Sequence, residues 1–369
     1  MKFRKIILVL LVVINLLILA CSEDNPSKPK TVANPIFSPS GGTYEGPVTV
    51  SMSCETEDAE IYYTLDGSNP DQTASVYADS FQLDESTTIK ARAYKTEWDA
   101  SATVVADYEI TVPEKFVLVE GGTFHNGTAN ATISDFYMSK YEVTQAEYEA
   151  VMGTNPALDY GVGNDYPVYY VSWFKAIKYC NILSLQEGLT PCYNYNNEGT
   201  DPNEWSSGWN SIYNHTSYVF DTTANGYRLP TEMEWMYAAK GGNQQPASGY
   251  NQYSGTDVEV ELAKFAWYDY TSNNTTHEVG TRLPNQLGLY DMSGNVFEWC
   301  WDIYNHPYSS STQTDPVGPT TGLYRVCRGG SWNYNAIPCG VAYRYSYNPT
   351  FSYYCLGFRL ARSSSGLKV

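Results

Sequence analysis

Oxygen donors crowd together at Ser293-Gly294-Asn295-Val296-Phe297-Glu298. The side chains of Asn295 and Glu298 and the main-chain carbonyls of Ser293 and Val296 fall within six residues. Calcium is a hard cation that takes about six to eight oxygen ligands from flexible loops, so this spacing predicts a calcium site. Capping of nearby backbone groups is the competing use of the same side chains. Thiols are the second resource, with Cys21, Cys54, Cys180, Cys192, Cys300, Cys327, Cys339 and Cys355. No CxxC pair or His-rich run accompanies them, and His125, His215, His277 and His306 are scattered, so a zinc centre is not expected. No Ser-His-Asp set, carboxylate pair or phosphate-binding loop can be argued.

Three helical segments and several short strands must position these groups. Thr144 to Met152, Val171 to Leu183, and Thr231 to Lys240 read as helices, the first with Thr144 as N-cap and the third closed by Gly241-Gly242. The rest of the C-terminal two thirds is rich in Gly, Asn, Ser, Tyr and Trp with short strands, an unusual amount of irregular chain for one domain. Cys300 and Cys327 both sit beside strand-like aromatic runs, Glu298 to Trp301 and Tyr324 to Val326. Neighbouring strands would bring them within bridging distance, so a Cys300–Cys327 disulfide is expected.

Residues 1–20 read as a signal. Lys2, Arg4 and Lys5 precede an apolar run from Ile6 to Leu19, and Ile18-Leu19-Ala20-Cys21 resembles a bacterial lipobox. The expected product carries lipid on Cys21 and is anchored to the cell envelope, at the outer membrane or the surface. The run is short for a membrane span, which is the competing reading. Residues 21–33, rich in Ser, Pro and charge, read as a tether. The chain has 369 residues and a formal net charge of −18, which argues against nucleic acid as a partner. An exported compartment permits disulfides.

Residues 34–111 alternate β-branched and aromatic runs with turn signals at Gly41-Gly42 and Asp66-Gly67, the pattern of an all-β, immunoglobulin-like sandwich. This segment is similar to the chitobiase/β-hexosaminidase C-terminal type domain, on Phe37-Ser38-Pro39, Gly41-Gly42-Thr43-Tyr44, Ile61 to Pro70 and Ile89 to Tyr94. The resemblance implies an accessory module. Tyr62, Tyr63 and Tyr77 either offer flat faces to sugar or pack between the sheets.

Residues 115–363 resemble the formylglycine-generating enzymes, or sulfatase-modifying-factor family. The matching blocks are Phe116 to Phe124, Tyr141 to Tyr148, Pro167-Val168 with Val171-Ser172-Trp173, Tyr227 to Glu232 with Trp235, Gly288 to Trp299, and Arg328-Gly329-Gly330-Ser331-Trp332 with Leu356-Gly357-Phe358-Arg359. The resemblance implies an α+β variant of the C-type lectin fold following the β sandwich, and calcium at the Gly294 turn. It also implies a copper(I) ion held by two cysteines that oxidises a sulfatase cysteine. Those positions are Tyr334 and Cys339, so one thiolate is missing and Cys339 stands as a remnant of the pair. Copper is not expected, because near-linear copper(I) needs two soft ligands. The expected function is a non-catalytic, membrane-anchored binding or scaffold protein with a glycan or protein ligand. The alternative is a formylglycine-generating-type oxidase acting on sulfatase cysteines. The insertion from Asn194 to Thr222, with Trp205, Trp209 and Tyr213, is either the binding surface or a flap pinned to the core.

Overall fold

A computed structural model describes residues 30–45, 48–83, 85–111, 114–244 and 252–364. The expected signal peptide and Cys21 lie outside the described residues. The chain divides into two compact units, the first including 51–80 and 88–106 and the second including 114–364. The protein is therefore multidomain, with a β domain first.

Residues 36–111 form two sheets. One has three strands in the order Ile36–Ser38, Val48–Ser53, Phe81–Leu83. The other has five, in the order Gly42–Glu45, Val104–Thr111, Thr87–Tyr94, Glu60–Thr64, Ser75–Val76. Alternation builds the core: Val48, Val50 and Met52 are buried along one strand, and Ile89, Ala91 and Ala93 along another. The end of the expected tether joins this fold. Thr31 bridges Asp99, and Val32 is buried and donates to the Asp99 carbonyl at 2.9 Å.

In the second unit, α1 (Gln145–Met152), α2 (Trp173–Gln186) and α3 (Glu232–Ala239) start where their caps dictate. Thr144 and Thr231 each close a reciprocal capping box with the glutamate three residues on, Glu147 and Glu234, and Ser172 caps α2. A four-stranded sheet runs in the order Tyr345–Tyr347, Arg325–Arg328, Phe297–Ile303, Leu356–Gly357. Its strand Phe297–Ile303 is buried along its whole length. Phe297, Trp299 and Trp301 join one core cluster with α2, while Cys300 joins another with α3. A strand sealed on both faces yet carrying Glu298 and Asp302 must give each carboxylate a partner. The rest of the unit is held together by aromatic contacts as much as by regular elements. Tyr193 stacks on Trp301 at 5.0 Å, and the Arg325 guanidinium lies 3.7 Å from the Trp173 ring and 4.8 Å from Trp301.

Candidate functional site

Two corners carry the residues that the sequence singles out. The first is the loop after strand Arg325–Arg328. Gly329 and Gly330 adopt left-handed φ of 94° and 74°. A Cβ at Gly330 would lie 2.8 Å from the Cys339 sulfur and amide, so only glycine lets this loop close over Cys339. The two family positions then diverge. Tyr334 turns into the cluster around Phe297, whose ring it meets edge-on at 5.2 Å, and it is half-buried. Cys339 turns into a separate cluster with Tyr253, Leu262, Ala266, Tyr268 and Ala336. Its thiol faces the Asn335 carbonyl at 3.8 Å, and burial pushes its pKa up to about 12. A phenol and a buried, protonated thiol directed into different clusters do not fit the two-thiolate copper that the family implies, and no step through copper follows here.

Tyr334 belongs to a wider tyrosine surface. Strand Tyr345–Tyr347 is the edge of its sheet. From it a ladder of rings continues, with Tyr345–Tyr347 at 4.8 Å, Tyr347–Phe351 at 4.9 Å, Phe351–Tyr353 at 5.3 Å and Tyr353–Tyr354 at 4.0 Å. The Phe351 contacts on both sides are stacked, at 20° and 29°. The hydroxyls are spent within the cluster: Tyr334 and Tyr347 share a hydrogen bond, as do Tyr353 and Tyr354, and Asn333 donates to the Tyr354 hydroxyl at 3.2 Å. From Tyr345 to Tyr354 the sequence carries no charged side chain.

The second corner is the oxygen-rich turn. Asp291, Gly294 and Asn295 take left-handed φ of 57°, 90° and 58°. A Cβ on Gly294 would lie 2.3 Å from the Trp267 carbonyl oxygen, which explains the glycine. The expected calcium set is partly committed elsewhere. Glu298 is not an open ligand: its carboxylate receives Nε and Nη2 of Arg359, each at 2.7 Å, and the Trp235 indole N–H at 2.7 Å. The Ser293 hydroxyl donates to the Cys339 carbonyl and accepts from the Ser254 amide. Asn295 accepts from the His277 amide at 3.0 Å and donates to Glu142 at 2.7 Å, and the Val296 amide donates to Glu142 at 3.0 Å.

The carboxylates with spare capacity are Glu142 and Asp291, which the sequence reading passed over. Both are buried. Asp291 accepts the Gly280 amide through Oδ2 at 2.7 Å, while its Oδ1 has no partner. Burial first, then the neighbouring Asp291 and Glu298 charges, raises the Glu142 pKa well above the usual carboxylate range. Burial likewise pushes Asp291 up to about 6. Three buried carboxylates therefore share Arg359 as their fully buried cation, with Arg282 nearby only half-buried. The orphaned Asp291 oxygen in this acid-rich corner is a hard donor of the kind a divalent cation accepts, although among the described residues no three His, Cys, Asp or Glu side chains are grouped as a metal site. Glu142 falls in the family block Tyr141 to Tyr148 just ahead of the Thr144 cap, where nothing local marks it as a ligand. Asp291 lies four residues before Asn295, close enough to have been counted among the donors of the turn.

The expected Cys300–Cys327 bridge is corrected. Both thiols are free and buried. In the antiparallel register Trp299, not Cys300, sits opposite Cys327, so Cys300 points to the other face of the sheet and enters the other core cluster. The insertion resolves toward packing. Trp205 is buried against Tyr218 at 5.4 Å and Trp209 at 6.0 Å, and Trp209 meets Phe174 edge-on at 6.4 Å. Only Tyr213 of the three stands out in solvent, 88% exposed. In the first unit Tyr62 is buried and packs edge-on with Tyr94 at 5.4 Å, while Tyr63 and Tyr77 are half-exposed.

Comparison with known proteins agrees with this architecture. Residues 100–364 match the model of the sulfatase-modifying factor enzyme 1-like domain, and residues 39–105 match the chitobiase/beta-hexosaminidase C-terminal domain. The chain is similar to the chaperone protein LppX of Paenibacillus barcinonensis, 38% identical over 256 residues, which is 63% of this chain and 84% of that protein. It is 38% identical over 149 residues to the formylglycine-generating enzyme of Streptomyces coelicolor, covering 38% of this chain and 48% of the enzyme, so it spans less than half of that relative. Among solved structures, Treponema denticola variable protein 1 superposes with a TM-score of 0.58 at 34% identity, over 71% of this chain and 96% of that one. The chain belongs to the sulfatase-modifying factor enzyme 1-like family, with a chitobiase/beta-hexosaminidase C-terminal domain ahead of the family domain.

Proposed function

We propose that this chain is a lipid-anchored binding protein whose family domain holds a protein partner and oxidises no cysteine. The observation that carries this reading is the divergence of Tyr334 and Cys339 into separate clusters, with the one remaining thiol buried and protonated. The uncharged tyrosine ladder beside Tyr334 supplies the surface. Half-buried rings packed on one another suit the mixed apolar and polar contacts of a protein interface, in which tyrosine gives large area at low entropy cost. A sugar platform needs free ring faces, and here Phe351 is stacked on Tyr347 and on Tyr353. The similarity to a protein named a chaperone points the same way. The expected immunoglobulin-like character of the first unit and the lipid on Cys21 belong to this proposal, the first unit acting as spacer.

Calcium belongs to it as a structural brace. Glu142 and Asp291 would hold the ion, with Asn295 orienting Glu142, and the ion would supply the positive charge that the buried carboxylates share too little of. Glu298 keeps Arg359 in place throughout.

The test pairs two assays. Purified protein is given copper(I), oxygen and a Cys-x-Pro-x-Arg peptide, and no aldehyde above a Cys339→Ser control is expected; aldehyde product would establish the oxidase reading. Calorimetric titration with chito- and cello-oligosaccharides is expected to give no saturable heat, and saturable binding would move the reading to a glycan ligand.

A further inference from the structure

A cavity of about 460 Å³ lies where the end of α3 meets the loop that follows Cys339. Lys240, the residue that ends α3, lines it and is only 1% exposed, so it forms the floor. Ile337, Val341, Ala342 and Tyr343 form the walls, and the exposed Glu259 stands at the rim. Main-chain bonds hold the walls in place. Tyr253 bridges Gly340, the Val341 amide donates to the Gln252 carbonyl at 2.9 Å, and the Tyr343 amide donates to the Gly340 carbonyl at 2.9 Å. The Tyr343 carbonyl in turn accepts Nη1 of Arg328.

We propose that this cavity binds a monocarboxylate with an apolar body, the acid meeting the Lys240 amine and the body lying between Ile337, Val341, Ala342 and Tyr343. The site does not depend on what the tyrosine ladder holds. Its size falls in the range of small-ligand pockets, roughly 300–1,000 Å³, and such pockets set a few polar groups among apolar walls to orient the ligand.

The charges around Lys240 favour an anion. Burial first, then the Arg328 charge, lowers the Lys240 pKa to about 8. Arg328 is itself buried, and its Nε lies 3.4 Å from Glu232. Glu232 is shared with Arg344, whose Nε and Nη2 donate to it at 2.6 Å each. Two guanidinium groups thus divide one carboxylate. Asp302 beside Glu232 is pushed up to about 8, chiefly by burial, so it carries a proton at neutral pH and adds no counter-charge. A bound carboxylate supplies the negative charge that this corner lacks. Asp257, which also acts on Lys240, and Glu259 at the rim oppose it, but both are exposed, where water and salt screen them. They penalise a doubly charged ligand more than a singly charged one. A lysine is a single point charge without the fork of donors that arginine offers to phosphate, so the fit is to a monoanion.

The test uses the whole protein near neutral pH, with octanoate as the probe and octan-1-ol as its uncharged counterpart, in calorimetric titrations. Octanoate should bind saturably, and roughly ten- to a hundredfold more tightly than octanol, the worth of one charge-assisted hydrogen bond. Lys240→Met keeps the apolar stem without the charge and should bind both probes alike. Ala342→Trp, at an exposed wall position, fills the cavity and should abolish binding of either. A peptide ending in a free leucine carboxylate, set against the same peptide amidated, separates two sources of the acid. Binding of the free-acid peptide in competition with octanoate assigns a polypeptide terminus, and binding of octanoate alone assigns a free organic acid. The proposal is overturned if octanoate does not bind saturably, or if octanoate and octanol bind equally well to the wild type. Octanoate binding unchanged in Ala342→Trp also overturns it, because the acid then sits elsewhere. If Lys240→Met does not fold, the octanol comparison and Ala342→Trp decide the matter.

Discussion

Arg359 and Glu298 form a two-armed ion pair, both arms 2.7 Å long and neither residue exposed to solvent. The same guanidinium donates to the carbonyls of Ser139, Lys140 and Tyr290, so one side chain pins the strand Phe297–Ile303 to two distant loops. Removing either partner leaves a buried charge uncompensated. Glu298→Gln is expected to destabilise the fold by about 3–5 kcal/mol, read from urea unfolding midpoints. A change below about 1 kcal/mol would show that the pair is dispensable.

Chelation separates Glu142 from Glu298. In the proposed calcium corner, a bound ion stabilises the folded state by an amount that grows with the logarithm of its free concentration. Chelator should lower the wild-type melting temperature, whereas Glu142→Gln should melt at the same temperature with and without chelator. Equal wild-type melting in both conditions would remove calcium from the account.

Asp302 sets a pH dependence whose sign is fixed. Its Oδ2 accepts the Glu232 amide at the start of α3 at 2.7 Å, and burial, followed by the Glu232 charge, pushes its pKa up to about 8. The folded state therefore keeps a proton that the unfolded chain releases near pH 4. Between those limits stability falls as pH rises, and it levels off above about 8. Asp302→Asn keeps an acceptor for the Glu232 amide without the charge, so its unfolding midpoint should decline less from pH 5 to pH 8. A slope as steep as that of the wild type would refute this assignment.

The insertion offers a paired mutational contrast. Trp205→Ala empties a buried site among Tyr195, Trp209 and Tyr218 and is expected to cost about 3–5 kcal/mol. Tyr213→Ala removes an exposed ring and should stay within about 0.5 kcal/mol of wild type. Similar losses at both positions, measured by thermal unfolding, would mean that the tip is packed in solution.

Local chemistry was the legible part of the sequence. Thr144 and Thr231 announce α1 and α3 because a capping threonine and a glutamate three residues on are a short-range device. The strands Val48–Ser53 and Thr87–Tyr94 follow from alternation alone. What escaped depends on long-range register. Glu142 meets Val296 across 154 residues, and no local pattern marks it as buried. Cys300 and Cys327 were placed on adjacent strands correctly, but a one-residue difference in register decides which face each thiol occupies. Trp205 looks equally suited to solvent or core until Phe174 of α2 is brought against Trp209 and Tyr218, the two rings on which Trp205 packs.

The buried cysteines have a practical consequence. Cys180, Cys192, Cys300, Cys327, Cys339 and Cys355 are sealed within the second unit, while Cys54 is partly open in the first. An alkylating reagent should modify Cys54 in the native protein. The other six should react only during transient opening, at rates set by how often each region unfolds. Cys339 and Cys300 lie in different core clusters, so their alkylation rates would report separately on the stability of two regions of one domain. Nature has thus placed a set of internal clocks in this fold, readable by mass without adding a label.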